Sequence, residues 1–162
     1  MSLFNRRTIL LWPLGLAACG FTPAYGPGGA ANGISGAIRA ANPSDKNAFD
    51  LVARLDQRLG RPNADRYDLD YTIKTRPVGV GITPDNAITR YNLEGTVVWT
   101  LTDRGTKARL TGGKVESFTS YSATGSTVAG LAAEEDAAAR LMRILADQIV
   151  ARLIATSGDW LK

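Results

Sequence analysis

The chain has 162 residues, of which 44% are hydrophobic, 21% charged and 7% aromatic, with seventeen glycines and seven prolines. That length fits one domain, and the apolar fraction supports a core and excludes disorder throughout. The net charge is +4, one cysteine is present and histidine is absent. Histidine triads, imidazole bases, His-ligated or thiolate-cluster metal sites, an internal disulfide and a Cys-x-x-Cys redox pair are thereby excluded.

Residues 1–18 read as an export leader: Arg6 and Arg7 precede an apolar run from Thr8 to Ala18. The run is about half the ~20 residues that a membrane-spanning helix needs, and Pro13 and Gly15 interrupt it. Leu16-Ala17-Ala18-Cys19 resembles the bacterial lipobox, in which the cysteine is acylated and becomes the new N-terminus. Cys19 is therefore the expected lipidation site, and its lipid the only expected prosthetic group. Arg6-Arg7 also has a faint likeness to a twin-arginine signal, and the export route stays open. Removing residues 1–18 takes two Arg and no acid, leaving 144 residues with a net charge of +2. A nucleic-acid partner then has no motivation. Gly20, rather than Asp, follows the cysteine, which in such lipoproteins favours the outer membrane over the inner.

Residues 19–33 read as a tether, with Gly26-Pro27-Gly28-Gly29 and Asn32-Gly33 excluding a helix or central strand. Phe21 and Tyr25 are its large apolar groups, candidates for contact with the lipid interface or a partner. A single domain is expected over 34–158, with a tail at 159–162. Ile34 to Ala40 reads as a short strand. Asn42-Pro43-Ser44 is a break with Ser44 as helix N-cap. Ala48, Leu51, Val52, Leu55 and Leu59 then recur at helical spacing until Gly60-Arg61-Pro62.

Tyr67, Leu69, Tyr71 and Ile73 alternate with polar residues, the period of a half-buried strand. Pro77, Gly79, Gly81 and Pro84 are read as its end and a loop. A second alternating run covers Tyr91 to Leu101, and Asp103-Arg104-Gly105 is a hairpin turn. The return strand runs from Ala108 to Tyr121, with Gly112-Gly113 suggesting a bulge. Finally, Leu131, Ala138, Leu141, Met142, Leu145, Ile149 and Leu153 form the apolar stripe of a helix from Val128 to Thr156. The order β-α-β-β-β-α implies an α+β two-layer sandwich: an about four-stranded, mainly antiparallel sheet with two helices on one face.

No constellation points to catalysis. Glu134-Glu135-Asp136 reads as a solvated helix start, since adjacent helical residues diverge. Asp68 and Asp70 lie on an exposed strand face, and Gly79-x-Gly81 lacks the later Gly and Lys of a phosphate loop. Ser117, Ser120 and Ser122 have no base. Arg90, Arg104, Lys107, Arg109 and Lys114 gather around the third and fourth strands. They fit either solubilising edge charge or contact with an anionic amphiphile, because guanidinium groups bind phosphates in pairs of hydrogen bonds.

Cys19-Gly20-Phe21-Thr22-Pro23-Ala24-Tyr25-Gly26 is similar to the C-G-F-x-P-x-Y-G start of the LPS-assembly lipoprotein family LptE, in its alphaproteobacterial form. Ala133-Glu134-Glu135-Asp136-Ala137 and Leu145-Ala146-Asp147-Gln148-Ile149 with Arg152-Leu153 also resemble that family. The middle strands resemble it by pattern only. The resemblance implies a non-enzymatic outer-membrane lipoprotein that sits as a plug in the LptD β-barrel, helps it assemble and assists lipopolysaccharide transport. Under it, Arg90, Arg104 and Lys107 become candidates for the lipid A phosphates. Two other readings share the anchor and the domain: an auxiliary lipoprotein subunit of a lipid-trafficking ABC transporter, and a structural envelope lipoprotein without a barrel.

Overall fold

The computed structural model describes residues 26, 29, 31–123 and 126–161. The expected leader, Cys19, Phe21 and Tyr25 lie outside the described residues. Residues up to Asn32 and residues from Gly33 onward form two separate units, and the fold below is that of the second.

Its elements are β1 (Ile38–Ala40), α1 (Lys46–Leu59), β2 (Tyr67–Ile82), β3 (Ile88–Asp103), β4 (Arg109–Ser122), α2 (Thr127–Ala155) and the short α3 (Ser157–Trp160). The sheet order is β1-β2-β3-β4. β1 pairs parallel with β2, and the other pairs are antiparallel. The two-layer α+β architecture is therefore as the hydrophobic periods imply, with one parallel pair made by the β1–α1–β2 crossover.

The expected strand from Ile34 is shortened to three residues, because the chain ahead of Ile38 turns. Gly36 sits at φ 71° and donates its N–H to Leu59 O at 2.8 Å, tying that turn to the end of α1. Helix α1 is capped one residue later than expected. Asp45, not Ser44, has the extended conformation of an N-cap, and its Oδ1 accepts from Ala48 N at 2.8 Å. Asp45→Ala should cost about 1 kcal/mol in urea unfolding, whereas Ser44→Ala should leave the midpoint where it is.

The largest departure is in β2, which runs through Pro77, Gly79 and Gly81 to Ile82. Pro77 pairs opposite Leu93, and the register slips only around Gly81. Proline survives here because β1 covers β2 only at Tyr67–Leu69. Beyond that point β2 is an edge strand, where a missing N–H is tolerated. The β3–β4 turn is as expected: Asp103 Oδ1 accepts from Gly105 N at 2.9 Å and Thr106 N at 2.8 Å. These bonds, that from the Thr106 backbone foremost, hold the Asp103 carboxyl below its usual range. The bulge expected at Gly112-Gly113 lies elsewhere. Leu101 pairs with Thr111 and Thr102 with Arg109, so Leu110 is the extra residue, while Gly112 and Gly113 pair regularly with Thr100 and Trp99.

The inner sheet face carries Leu69, Leu93, Val97, Trp99, Leu101 and Val115, all buried. Against it lie Leu141, Met142, Leu145, Ile149 and Leu153 of α2, with Ala48, Leu51, Leu55 and Leu59 of α1 completing the core. Burying one such large side chain fully is worth about 1.5–3 kcal/mol. Thr119 Oγ1 donates to Ala137 O at 2.8 Å, a buried polar tie between β4 and α2. Leu131, expected on the apolar stripe, is 60% exposed, because the buried part of α2 begins at Ala137. The expected tail contains Trp160, which is buried edge-on against the Tyr67 ring with centroids 5.3 Å apart.

Asp147 of α2 clamps the two helices. Its carboxylate accepts from Arg54 Nε at 3.0 Å, Arg54 Nη2 at 2.9 Å and Arg58 Nη1 at 2.8 Å. The Arg54 hydrogen bonds are the main cause of its lowered pKa. A carboxyl depressed in the folded state stabilises at pH values above its unfolded pKa, and the stabilisation is lost as pH falls through the folded value. Asp147→Asn should therefore cost about 1 kcal/mol near neutrality, since the cluster is partly solvated. In urea titrations at stepped pH, variant and wild type should converge below the ordinary carboxylate range.

Candidate partner-binding surface

The sheet face turned away from the helices is polar over the three long strands. Its rows are Asp70–Thr100–Gly112, Thr72–Val98–Lys114, Lys74–Thr96–Glu116 and Arg76–Glu94–Phe118. Arg76 Nη2 meets Glu94 Oε2 at 2.7 Å, and Lys114 Nζ meets Glu116 Oε1 at 2.6 Å. Thr96 Oγ1 adds a bond to Glu116 at 3.1 Å. Lys114 first, then Thr96, hold the Glu116 carboxyl below its usual range. Such exposed pairs are screened by water and contribute little to stability, so the face reads as a hydrated surface with strand-imposed spacing. Phe118, 60% exposed, and Val98 are its apolar points. Among the described residues, no group of three or more acidic, Cys or His side chains could hold a metal ion.

The structure does not bring the three candidate phosphate-binding residues together. Arg104 belongs to an ion-pair cluster at the β1 end of the sheet, with its Nη1 2.9 Å from Asp65 Oδ2 and its Nε 3.8 Å from Asp68 Oδ1. Arg39 also pairs with Asp65, and Lys107 Nζ lies 3.7 Å from Asp68 Oδ2. Arg104 and Lys107 thus brace the β3–β4 turn against its neighbours. Arg90 stands at the other end of the sheet, opposite Gly81 and Ser122. Almost the whole of β3 separates it from Arg104, about 45 Å at ~3.3 Å per residue. Cys19 lies outside the described residues.

The sequence reading missed the far end of the β2–β3 hairpin. Val80, Ile82 and Ile88 are exposed there, Ile82 by 63%, and Val128 and Leu131 are exposed at the start of α2, at the same end of the sheet. Behind them Tyr91 and Tyr121 stack, with centroids 5.5 Å apart at 22°. Burial, followed by Glu134 and Tyr91, raises the Tyr121 hydroxyl pKa. A signal was available: Val78, Val80 and Ile82 alternate at period two, but Pro77 and the glycines masked them. An apolar end on a polar molecule is the usual mark of a partner surface. Among the described residues, no helix is long and apolar enough to cross a membrane.

The family model for LptE, lipopolysaccharide-assembly, matches residues 37–153, well over half of the chain. No curated protein matches it. Among solved structures, a candidate lipoprotein from Caulobacter crescentus CB15 is 22% identical with a TM-score of 0.68, covering 82% of this chain and 98% of that one. Rare lipoprotein B from Shewanella oneidensis is 15% identical with a TM-score of 0.58, covering 78% and 98%. Lipoprotein B from Nitrosomonas europaea is 16% identical with a TM-score of 0.55, covering 76% and 84%. These likenesses concern the fold, whereas the family match spans the sheet from β1 through β4 and the buried part of α2. The chain belongs to the LptE lipopolysaccharide-assembly family.

Proposed function

We propose that this protein is a lipoprotein anchored through Cys19 in the outer membrane. There it occupies the LptD β-barrel as a one-to-one plug, helps the barrel assemble and assists lipopolysaccharide transport to the surface. The observation that carries this reading is the family match over residues 37–153. The polar outer sheet face supports it, because Thr, Lys and Glu rows suit a water-filled barrel lumen better than a lipid surface. The exposed apolar end at Ile82 and Leu131 supplies a patch for the barrel wall or its lipid-facing opening. The role is one of shape and surface, with no covalent step.

A mild-detergent pull-down of the lipidated protein from outer membranes, followed by mass spectrometry, tests the reading. A large β-barrel should co-elute in equal amount. A permease complex without a barrel would overturn the plug and favour an ABC-transporter auxiliary subunit.

A further inference from the structure

We infer that the free edge of β4 binds a second copy of this chain, strand to antiparallel strand, about a two-fold axis at Val115. This pairing is a property of the chain by itself and does not rest on the barrel reading. Its basis is the direction in which the β4 backbone faces. Ala123 N donates to Thr89 O of β3 at 2.9 Å. Backbone groups alternate sides along an antiparallel strand, so Tyr121, Thr119, Ser117, Val115 and Gly113 also face β3. Gly112, Lys114, Glu116, Phe118 and Ser120 therefore turn their N–H and C=O groups outward. Arg140 of α2 agrees, reaching round to donate to Ser120 O at 3.4 Å. β4 ends the sheet among the described residues, so the outward groups from Gly112 to Phe118 have no strand to pair with.

The opposite edge of the sheet is protected. On β2, Ala41 N donates to Leu69 O at 2.9 Å, so Leu69 and every second residue to Pro77 face outward. β1 covers the start of that row, Pro77 removes an N–H from it, and the register breaks around Gly81. These are the ordinary devices that keep an edge from recruiting a strand. β4 from Gly112 to Phe118 has no proline, and its one irregularity lies back at Leu110. Nor does α2 roof this stretch. An open groove of about 500 Å³ runs beside it, lined by Lys114, Glu116, Gln148, Ala151 and Arg152.

The occupant that fits is the same edge. Outward-facing residues must meet each other in every hydrogen-bonded pair. The two-fold registers near the middle of the edge thus place Lys114 opposite Lys114, Lys114 opposite Glu116, or Glu116 opposite Glu116. The first and third set like charges face to face, which is destabilising. The second puts each Lys114 opposite Glu116 of the other copy, so the lysine that guards the edge against other strands is answered by a carboxylate. Within one copy these two side chains already meet at 2.6 Å, and the pairing closes them into a four-charge cluster. The same register sets Phe118, 60% exposed, opposite Gly112 of the other copy, an aromatic-to-glycine pairing that suits edge strands. The Arg109 guanidinium beside Gly112 is a cation for that ring to cover. On the helix side, Ile144 is 39% exposed and shares the α2 face of Gln148 and Ala151 by helical spacing, which adds contact across the axis.

Sedimentation velocity of the purified full chain, in dodecyl maltoside with micelles in excess of chains, tests the pairing. The chain should pass from monomer to dimer with rising concentration. Lys114→Glu and Glu116→Lys should each raise the dimer dissociation constant about tenfold or more, because two opposed pairs become two like pairs. An equimolar mixture of the two variants should dimerise as well as wild type, since an acidic edge then faces a basic one. In amide hydrogen exchange, Lys114, Glu116 and Phe118 should gain protection with concentration, whereas Val115 and Ser117 stay protected throughout and show that each variant is folded. A monomer at every concentration, wild-type association in both single variants, or a mixture no stronger than its parts overturns the proposal. Protection of the same three amides in a monomer, only on adding outer-membrane extract, also overturns it and assigns the edge to a strand of another protein.

Discussion

Gly95→Val should lower the unfolding free energy by about 3 kcal/mol, and Gly95→Ala by about 1–2 kcal/mol. A Cβ at Gly95 would lie 2.8 Å from Leu141 Cδ2 and 3.0 Å from Leu145 Cδ1. Ordinarily the end of a leucine side chain yields cheaply, but both leucines here are 0% exposed and sit between β3 and the rest of the core. Moving either one shifts α2 or forces an unfavourable rotamer. The opposing gain, a stiffer unfolded chain, is only about 0.4–1 kcal/mol for Gly→Ala. For a domain whose total stability is ~5–15 kcal/mol, the valine variant loses a large share. Leu141→Ala alone should cost about 2–5 kcal/mol. Combined with Gly95→Ala it should cost less than the sum by ~0.5 kcal/mol or more, because the new methyl occupies part of the space the leucine vacates. Urea midpoints of the four proteins close the cycle. Strict additivity would mean that Gly95 does not set the distance between sheet and helix.

The same residues show how far the sequence alone reaches. The stripe from Leu141 to Leu153 is legible because a buried helix face repeats every 3.6 residues whatever it packs against. The alternation from Tyr67 to Ile73 is legible for the equivalent reason in a strand. The extension of β2 through Pro77 is not, since the cost of a proline depends on whether a neighbouring strand needs its N–H, and only the sheet order reveals that β1 stops at Ala40. Ser44 and Asp45 are both competent caps, and backbone direction, not composition, selects Asp45. Arg104 and Lys107 look available in a linear sequence, yet Asp65 and Asp68 arrive beside them through the fold. Trp99 is recognisable as core, but its indole N–H facing Gly113 depends on strand register. Of the residues that carry the resemblance, Cys19 to Gly26 lie outside the family match over residues 37–153, whereas Ala133 to Ala137 and Leu145 to Leu153 lie inside it.

Cys19→Ser should release the protein from membranes while leaving the domain's unfolding midpoint unchanged. The variant is best made with residues 1–18 exchanged for an ordinary cleavable leader, so that an uncut leader cannot serve as a substitute anchor. Residues from Gly33 onward carry their own core of sheet and helices, and Cys19 precedes that unit. Membrane attachment, in contrast, scales with buried acyl chain at about 0.8 kcal/mol per CH₂, and one chain of about fourteen carbons already reaches an association constant of ~10⁴ M⁻¹. On the proposed anchoring, more than one chain on Cys19 gives stable attachment, and losing the thiol removes the whole anchor. Carbonate extraction of membranes should move the variant from the pellet to the supernatant. Pellet retention equal to wild type would remove Cys19 as the anchor. The barrel reading adds a distinct expectation, because anchoring holds the domain near its partner and raises its effective concentration. Barrel occupancy by Cys19→Ser should fall at native expression and recover on overproduction, whereas a variant disabled at the contact surface would not recover.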